Sequence, residues 1–126
     1  MSDPIALFPS EWQVSPSALS QLVPATSNML RAIRRARGEN GLGAEEATIF
    51  LAIGSLSLTA AGGFLIVSPV TIRQLAETLN IPRETVRRKA GFLVSRGYVV
   101  AKRQGLSIQN IDAWLCLAKT LAGART

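Results

Sequence analysis

The side chains in this chain best suited to chemistry are mostly cationic and lie close together: Arg83, Glu84, Thr85, Arg87, Arg88 and Lys89 fall within seven consecutive residues. An arginine fork can bind guanine O6 and N7 together, a glutamate can accept from cytosine N4, and basic side chains neutralise phosphates. The charge around them is one-sided. From Arg73 to Arg103 there are eight basic residues (Arg73, Arg83, Arg87, Arg88, Lys89, Arg96, Lys102, Arg103) against Glu77 and Glu84, a net of +6. The whole chain of 126 residues, with fourteen basic and eight acidic residues, also nets +6, so the excess is local. A solvated charged helix face is the ordinary explanation of such a run. A local basic surface is also the electrostatic footprint of a ligand with a phosphate backbone.

Other chemistries lack their residues. There is no histidine and one cysteine, Cys116, so a Ser-His-Asp triad, a Cys-His dyad and a zinc site of clustered Cys and His are all impossible within the chain. The carboxylates Asp3, Glu11, Glu39, Glu45, Glu46, Glu77, Glu84 and Asp112 show no acid-base or metal spacing. Gly38, Gly41 and Gly43 lack the Lys-Ser/Thr that a phosphate-cradling loop needs. No catalytic residue, metal or cofactor is therefore expected, and the chain reads as a non-enzyme. Cys116, in an apolar helical pattern, reads as a buried structural thiol rather than a redox sensor.

The elements that must position the basic cluster follow from short-range signals. Thr71 with Gln74 three residues on has capping-box spacing, and Ile72, Leu75, Ala76 and Leu79 recur at helical spacing. Asn80 and Pro82 end that helix and open a second from Pro82 to about Arg96, with Val86, Ala90, Leu93 and Val94 inward. Gly97 stops it; Tyr98 to Ala101 reads as a strand, Lys102 to Gly105 as a turn, and Leu106 to Ile108 as a returning strand. Helix, turn, helix and a ribbon with a basic tip is the order of a winged helix-turn-helix. In that geometry the second helix enters the major groove and the first crosses the backbone.

The same residues carry a family resemblance. Leu75-Ala76, the run Ile81-Pro82-Arg83-Glu84-Thr85-Val86-Arg87-Arg88, Leu93, Gly97, Leu106-Ser107-Ile108, Ile111-Asp112 and Leu115 resemble the C-terminal DNA-binding domain of Crp-Fnr transcription regulators. The Arg-Glu-Thr-Val-x-Arg core is its most specific part. The resemblance implies that Arg83, Glu84 and Arg88 read bases, while Arg73, Thr85, Arg87, Lys89, Arg96, Lys102 and Arg103 are the candidates for backbone contacts. Arg87 stands where that family usually has a small residue. The family's N-terminal cyclic-nucleotide-binding barrel has no room here, so the resemblance covers only about residues 65–118.

The remaining chain supplies support. Met1 to Gln13 has no basic n-region of a secretory signal and reads as an arm whose Phe8 and Trp12 tuck against this chain or a neighbour. Ser15 can cap a helix from Pro16, which Pro24 should kink or restart. A helix to about Arg37 should turn Met29, Leu30, Ile33 and Ala36 inward, carry Arg31, Arg34, Arg35 and Arg37 near its end, and stop at Gly38. From Ala47 to Ile72 there is no charged residue. That length could cross a bilayer, but Gly62-Gly63 divide it into a buried helix and a short strand, about Leu65 to Val67, expected to pair with the wing. The small, apolar surface of residues 47–61 is the candidate dimer contact. Asn110 can cap a last helix to about Leu121 with Ile111, Trp114, Leu115, Ala118 and Leu121 on one face.

The expected architecture is mainly α with a small β-wing: an N-terminal arm and helical extension over 1–43, then a winged helix-turn-helix with its C-terminal helix over 44–122. The expected function is sequence-specific double-stranded DNA binding by a cytoplasmic prokaryotic transcription regulator acting as a homodimer. The alternatives are a winged-helix protein-interaction or assembly module that binds DNA only non-specifically, and a membrane-anchored regulator using residues 47–72 as a span.

Overall fold

The fold is organised around an uncharged helix, Ala44–Ser57, whose Ile49, Phe50 and Ile53 are completely buried in the computed structural model, which describes residues 14–124. Each such side chain contributes roughly 1.5–3 kcal/mol by leaving water. The expected arm with Phe8 and Trp12 lies outside the described residues. In chain order the elements are α1 (Pro16–Asn40), α2 (Ala44–Ser57), β1 (Leu58–Ala61), β2 (Phe64–Val67), α3 (Ile72–Leu79), α4 (Arg83–Ser95), β3 (Val99–Lys102), β4 (Gly105–Ile108) and α5 (Ile111–Leu121). The molecule is thus mainly helical with two small antiparallel hairpins, β1–β2 and β3–β4. Helix α2 packs against α1, α3, α4, α5 and β4, and its buried residues join Leu75, Val86, Leu93, Val99 and Leu117 in one core.

Helix α1 begins as its sequence predicts, with Ser15 Oγ accepting from the Ala18 amide. It differs further along. It runs through Pro24 without a restart and past Gly38 to Asn40. Pro24 lies in an exposed part of the helix, where water can serve the carbonyl that loses its amide partner. The stop is at Gly41, which takes the left-handed conformation (φ 68°) that a Cβ disfavours, while the Leu42 amide bonds back to Ala36 O at 3.0 Å. The inward stripe is also different: Ala32 and Ala36 are buried and Ile33 half-buried, whereas Met29 and Leu30 are exposed. Alanines let α1 approach α5 and α2 closely, and the larger side chains flank that contact.

Helix α5 is capped by Asn110, whose Oδ1 accepts from the Ala113 amide. Its inward stripe centres on Leu117 and Thr120, with Ala113, Trp114 and Ala118 half-buried; Ile111, Leu115 and Leu121, expected on one face with Trp114 and Ala118, are exposed. Trp114 is an anchor. Its indole Nε1 donates to Leu51 O at 3.2 Å, and its ring lies so close over Gly54 that a Cβ there would be 1.9 Å from Nε1. Cys116 is free and half-buried rather than fully enclosed.

The strand expected to pair with the wing does not. Gly62 and Gly63 both have positive φ (56° and 81°), the requirement of the tight turn that matches strand twist, so β2 folds back on β1 with Leu58 opposite Val67 and Ala61 opposite Phe64. The β3–β4 ribbon instead takes Val70, through a single antiparallel bridge to Leu106. Among the described residues no helix is long and apolar enough to cross a membrane. The helical half of the expected dimer surface is largely internal, since Ala47, Ile49, Phe50, Ile53, Gly54 and Ser57 are buried.

Candidate nucleic-acid interface

Helix α3 is set by its reciprocal cap: Thr71 Oγ1 accepts from the Gln74 amide at 3.0 Å and Gln74 Oε1 accepts from the Thr71 amide at 2.9 Å. It ends at Asn80 in the left-handed conformation (φ 54°), and Pro82 stands as the N-cap of α4. That cap has no side-chain acceptor, so the first-turn amides of α4 have no capping side chain among the described residues. Val86, Ala90 and Leu93 turn one side of α4 into the core. At 3.6 residues per turn the opposite side is Glu84, Arg88, Gly91 and Ser95, flanked by Arg87, and all of these are exposed.

The structure brings Arg83, Glu84, Arg87 and Arg88 together on the exposed N-terminal half of α4. Glu84 and Arg87 approach to 4.0 Å, a surface pair worth little in water. Thr85 is half-buried. Arg73, on α3, holds Glu77 one turn on at 3.0 Å. Arg96 caps the far end of α4 with its guanidinium 4.9 Å from the Phe92 ring centre, a cation–π contact. Lys102 and Arg103 are exposed at the tip of the β3–β4 ribbon, where Lys102 pairs with Gly105 in the register.

Lys89 stands apart from this group. Its ammonium pairs with Glu46 and, at 3.6 Å, with Glu45 on α2, so two carboxylates already neutralise it. Sequence spacing puts Lys89 beside Arg88, but one residue turns a helix by about 100° and aims it at another element. Glu46 also accepts the Gly43 amide at 2.8 Å, capping α2. The hydrogen bond from Lys89, first, and that from Gly43 hold the Glu46 carboxyl below its ordinary 4.5, and Glu46 in turn raises Lys89. A depressed carboxyl contributes stability above its unfolded value and loses it as pH falls through the folded one. Glu46→Gln keeps the cap and removes the charge. We expect it to lower stability at pH 7 by about 0.5–1 kcal/mol, with the difference from the unsubstituted chain shrinking as pH falls below 4.5 and vanishing only below the lowered value of the folded carboxyl, as urea melts at several pH values would read.

Two supports of the interface carry no local sequence signal. The Tyr98 hydroxyl donates to Asn40 O at 3.0 Å, and its ring packs on Phe50 at 5.4 Å, tying the start of β3 to α1 and α2. A further basic surface, on α1, is formed by Arg31, Arg34 and Arg35, which line an open cleft with Thr120; Arg35 is bound to Glu39 and donates to Thr120 Oγ1. The basic end of α1 is legible in the sequence, but its meeting with α5 is not.

No family model, curated protein or solved structure matches the chain. The likeness to the Crp-Fnr domain therefore stands on the residues quoted for it.

Proposed function

We propose that the chain is a sequence-specific double-stranded DNA-binding protein of winged helix-turn-helix type, acting as a homodimeric prokaryotic transcription regulator. The observation that carries this reading is the division of labour on α4: its apolar stripe is used by the core, while Arg83, Glu84, Arg87 and Arg88 remain exposed beside an uncapped helix start. Side chains held on a helix can reach base edges in a major groove, and open first-turn amides suit a phosphate oxygen. The order α3, turn, α4 and a ribbon with Lys102 and Arg103 at its tip supports the same reading. Backbone affinity comes from Arg73, Arg87, Arg96, Lys102 and Arg103. Lys89, neutralised on α2, is a weak contributor.

The test is selection of bound duplexes from a random pool, with the winners titrated across a salt series. The expected result is a palindromic consensus with half-sites about 34–36 Å apart, bound far more tightly than scrambled DNA. Lys102→Ala should weaken all duplexes alike and reduce the slope of log affinity against log salt by about 1. Enrichment of nothing beyond general duplex affinity would overturn the reading in favour of a winged-helix protein-interaction module. That second reading draws on one observation, an exposed, uncharged β1–β2 hairpin more suited to protein than to phosphate.

A further inference from the structure

The β1–β2 hairpin is the most anomalous surface on the molecule. Phe64, Leu65, Ile66 and Val67 are 77, 57, 48 and 44% exposed, and Leu56, two residues before β1, is 42% exposed. Opposite residues of an antiparallel pair share a face, so Leu65 and Val67 lie on one side with Leu58 and Ala60, and Phe64 and Ile66 on the other with Thr59 and Ala61. Both faces carry large apolar side chains in water. Both outer edges are open among the described residues, because the ribbon β3–β4 pairs with Val70 and not with β2. Edge strands are ordinarily blunted by lysine, proline or a bulge, and a lone two-stranded hairpin is marginal in water. Neither strand here contains lysine or proline, and their register is unbroken from Leu58 to Val67.

We infer that this hairpin joins two copies of the chain about a two-fold axis, apolar side chain against apolar side chain. Two observations select a second copy as the occupant. Each chain carries +6, so two copies repel unless they meet where there is no charge, and Ala47 to Ile72 is without a charged residue. A two-fold contact also places the same residues on both sides, which suits a patch with no group that asks for an opposite partner. A contact across the face that carries Phe64 and Ile66 covers on the order of 250 Å² per chain, about 500 Å² for the pair, which is the range of a weak, concentration-dependent association. The hairpin shares no residue with α4 or with the ribbon tip, so the contact uses none of the side chains assigned to DNA.

This inference rests on the homodimer in the proposed function and supplies its interface. The test uses the full chain without DNA, in sedimentation velocity over a concentration series, with Phe64→Lys/Ile66→Lys as the variant. The expected result is a species of twice the chain mass, and for the variant a dimer weakened roughly tenfold or more, with its helical circular dichroism retained. Hydrogen exchange across the dilution series needs no variant; protection over residues 58–67 should rise with concentration. A chain that stays monomeric, a dimer that the double variant leaves intact, or protection that does not change with concentration would each overturn the assignment. So would a monomer that co-sediments with phosphatidylcholine vesicles, which would give the hairpin to a bilayer surface. A monomeric result leaves base reading by α4 standing, and a failed DNA selection leaves the dimer standing, so the two readings fail separately.

Discussion

Replacing Gly105 with alanine should lower the stability of the fold by about 2–4 kcal/mol. Gly105 opens β4 with φ 143°, a conformation that a side chain strains. A Cβ built there would lie 2.6 Å from Val70 O and 2.8 Å from its carbonyl carbon. Both are backbone atoms, so no rotamer change relieves the clash. Val70 is held by two hydrogen bonds to Leu106, its amide to the Leu106 oxygen at 2.8 Å and its oxygen to the Leu106 amide at 2.7 Å. Moving apart breaks the bridge that fixes the ribbon to the chain entering α3. A urea melt reads the loss, and on the proposed function DNA affinity should fall with it because Lys102 and Arg103 ride on the displaced ribbon. Gly91→Ala is the control. Nothing lies within 4 Å of a Cβ there, and the site is an exposed helix interior, so alanine should stabilise by up to about 1 kcal/mol. An equal response at the two glycines would show that the Val70 contact contributes nothing.

That pair of glycines also marks where the sequence is legible. Helices α3 and α4 and the β3–β4 hairpin are readable because their signals are local: a reciprocal cap three residues apart, a proline at a helix start, an apolar stripe and Gly97 at a stop. The exposed cluster Arg83, Glu84, Arg87 and Arg88 is readable for the same reason, since the residues opposite Val86, Ala90 and Leu93 must face outward. Between Ala47 and Ile72 the signals fail. With no charge to mark an outward side, helix and strand look alike, and Gly62-Gly63 read equally as a break or as a hairpin turn. The difference is whether Leu58 to Ala61 continues α2 or pairs with Phe64 to Val67, and only the pairing decides it. Pairings across long separations are equally silent: Lys89 with Glu46, Tyr98 with Asn40, Trp114 over Gly54. Each depends on which side of a helix meets which neighbour. That is why α5 turns Leu117 and Thr120 inward although its sequence offers Ile111, Leu115 and Leu121 as a stripe.

Arg88→Ala should cost about 1–3 kcal/mol on a selected target, roughly five- to 150-fold in affinity, and relax preference at one base pair. The fold should not notice. Arg88 lies opposite the buried stripe of α4, is exposed, and makes no ion pair or hydrogen bond among the described residues, so thermal melts of variant and parent should coincide. The loss must then arise in the complex. If the guanidinium forks onto a base, the penalty falls on the selected duplex and is small on scrambled DNA, and the salt slope changes little because the count of neutralised phosphates is nearly preserved. Equal losses on both duplexes would move Arg88 into the class proposed for Lys102, that of a phosphate neutraliser. Arg88→Lys separates charge from geometry, since lysine keeps the cation but not the planar two-point fork. A lysine variant as unselective as the alanine variant would mean that α4 reads sequence through the fork. A lysine variant that restores both affinity and preference would mean that a single cationic donor at this position suffices to read the base and that the planar fork is not what discriminates.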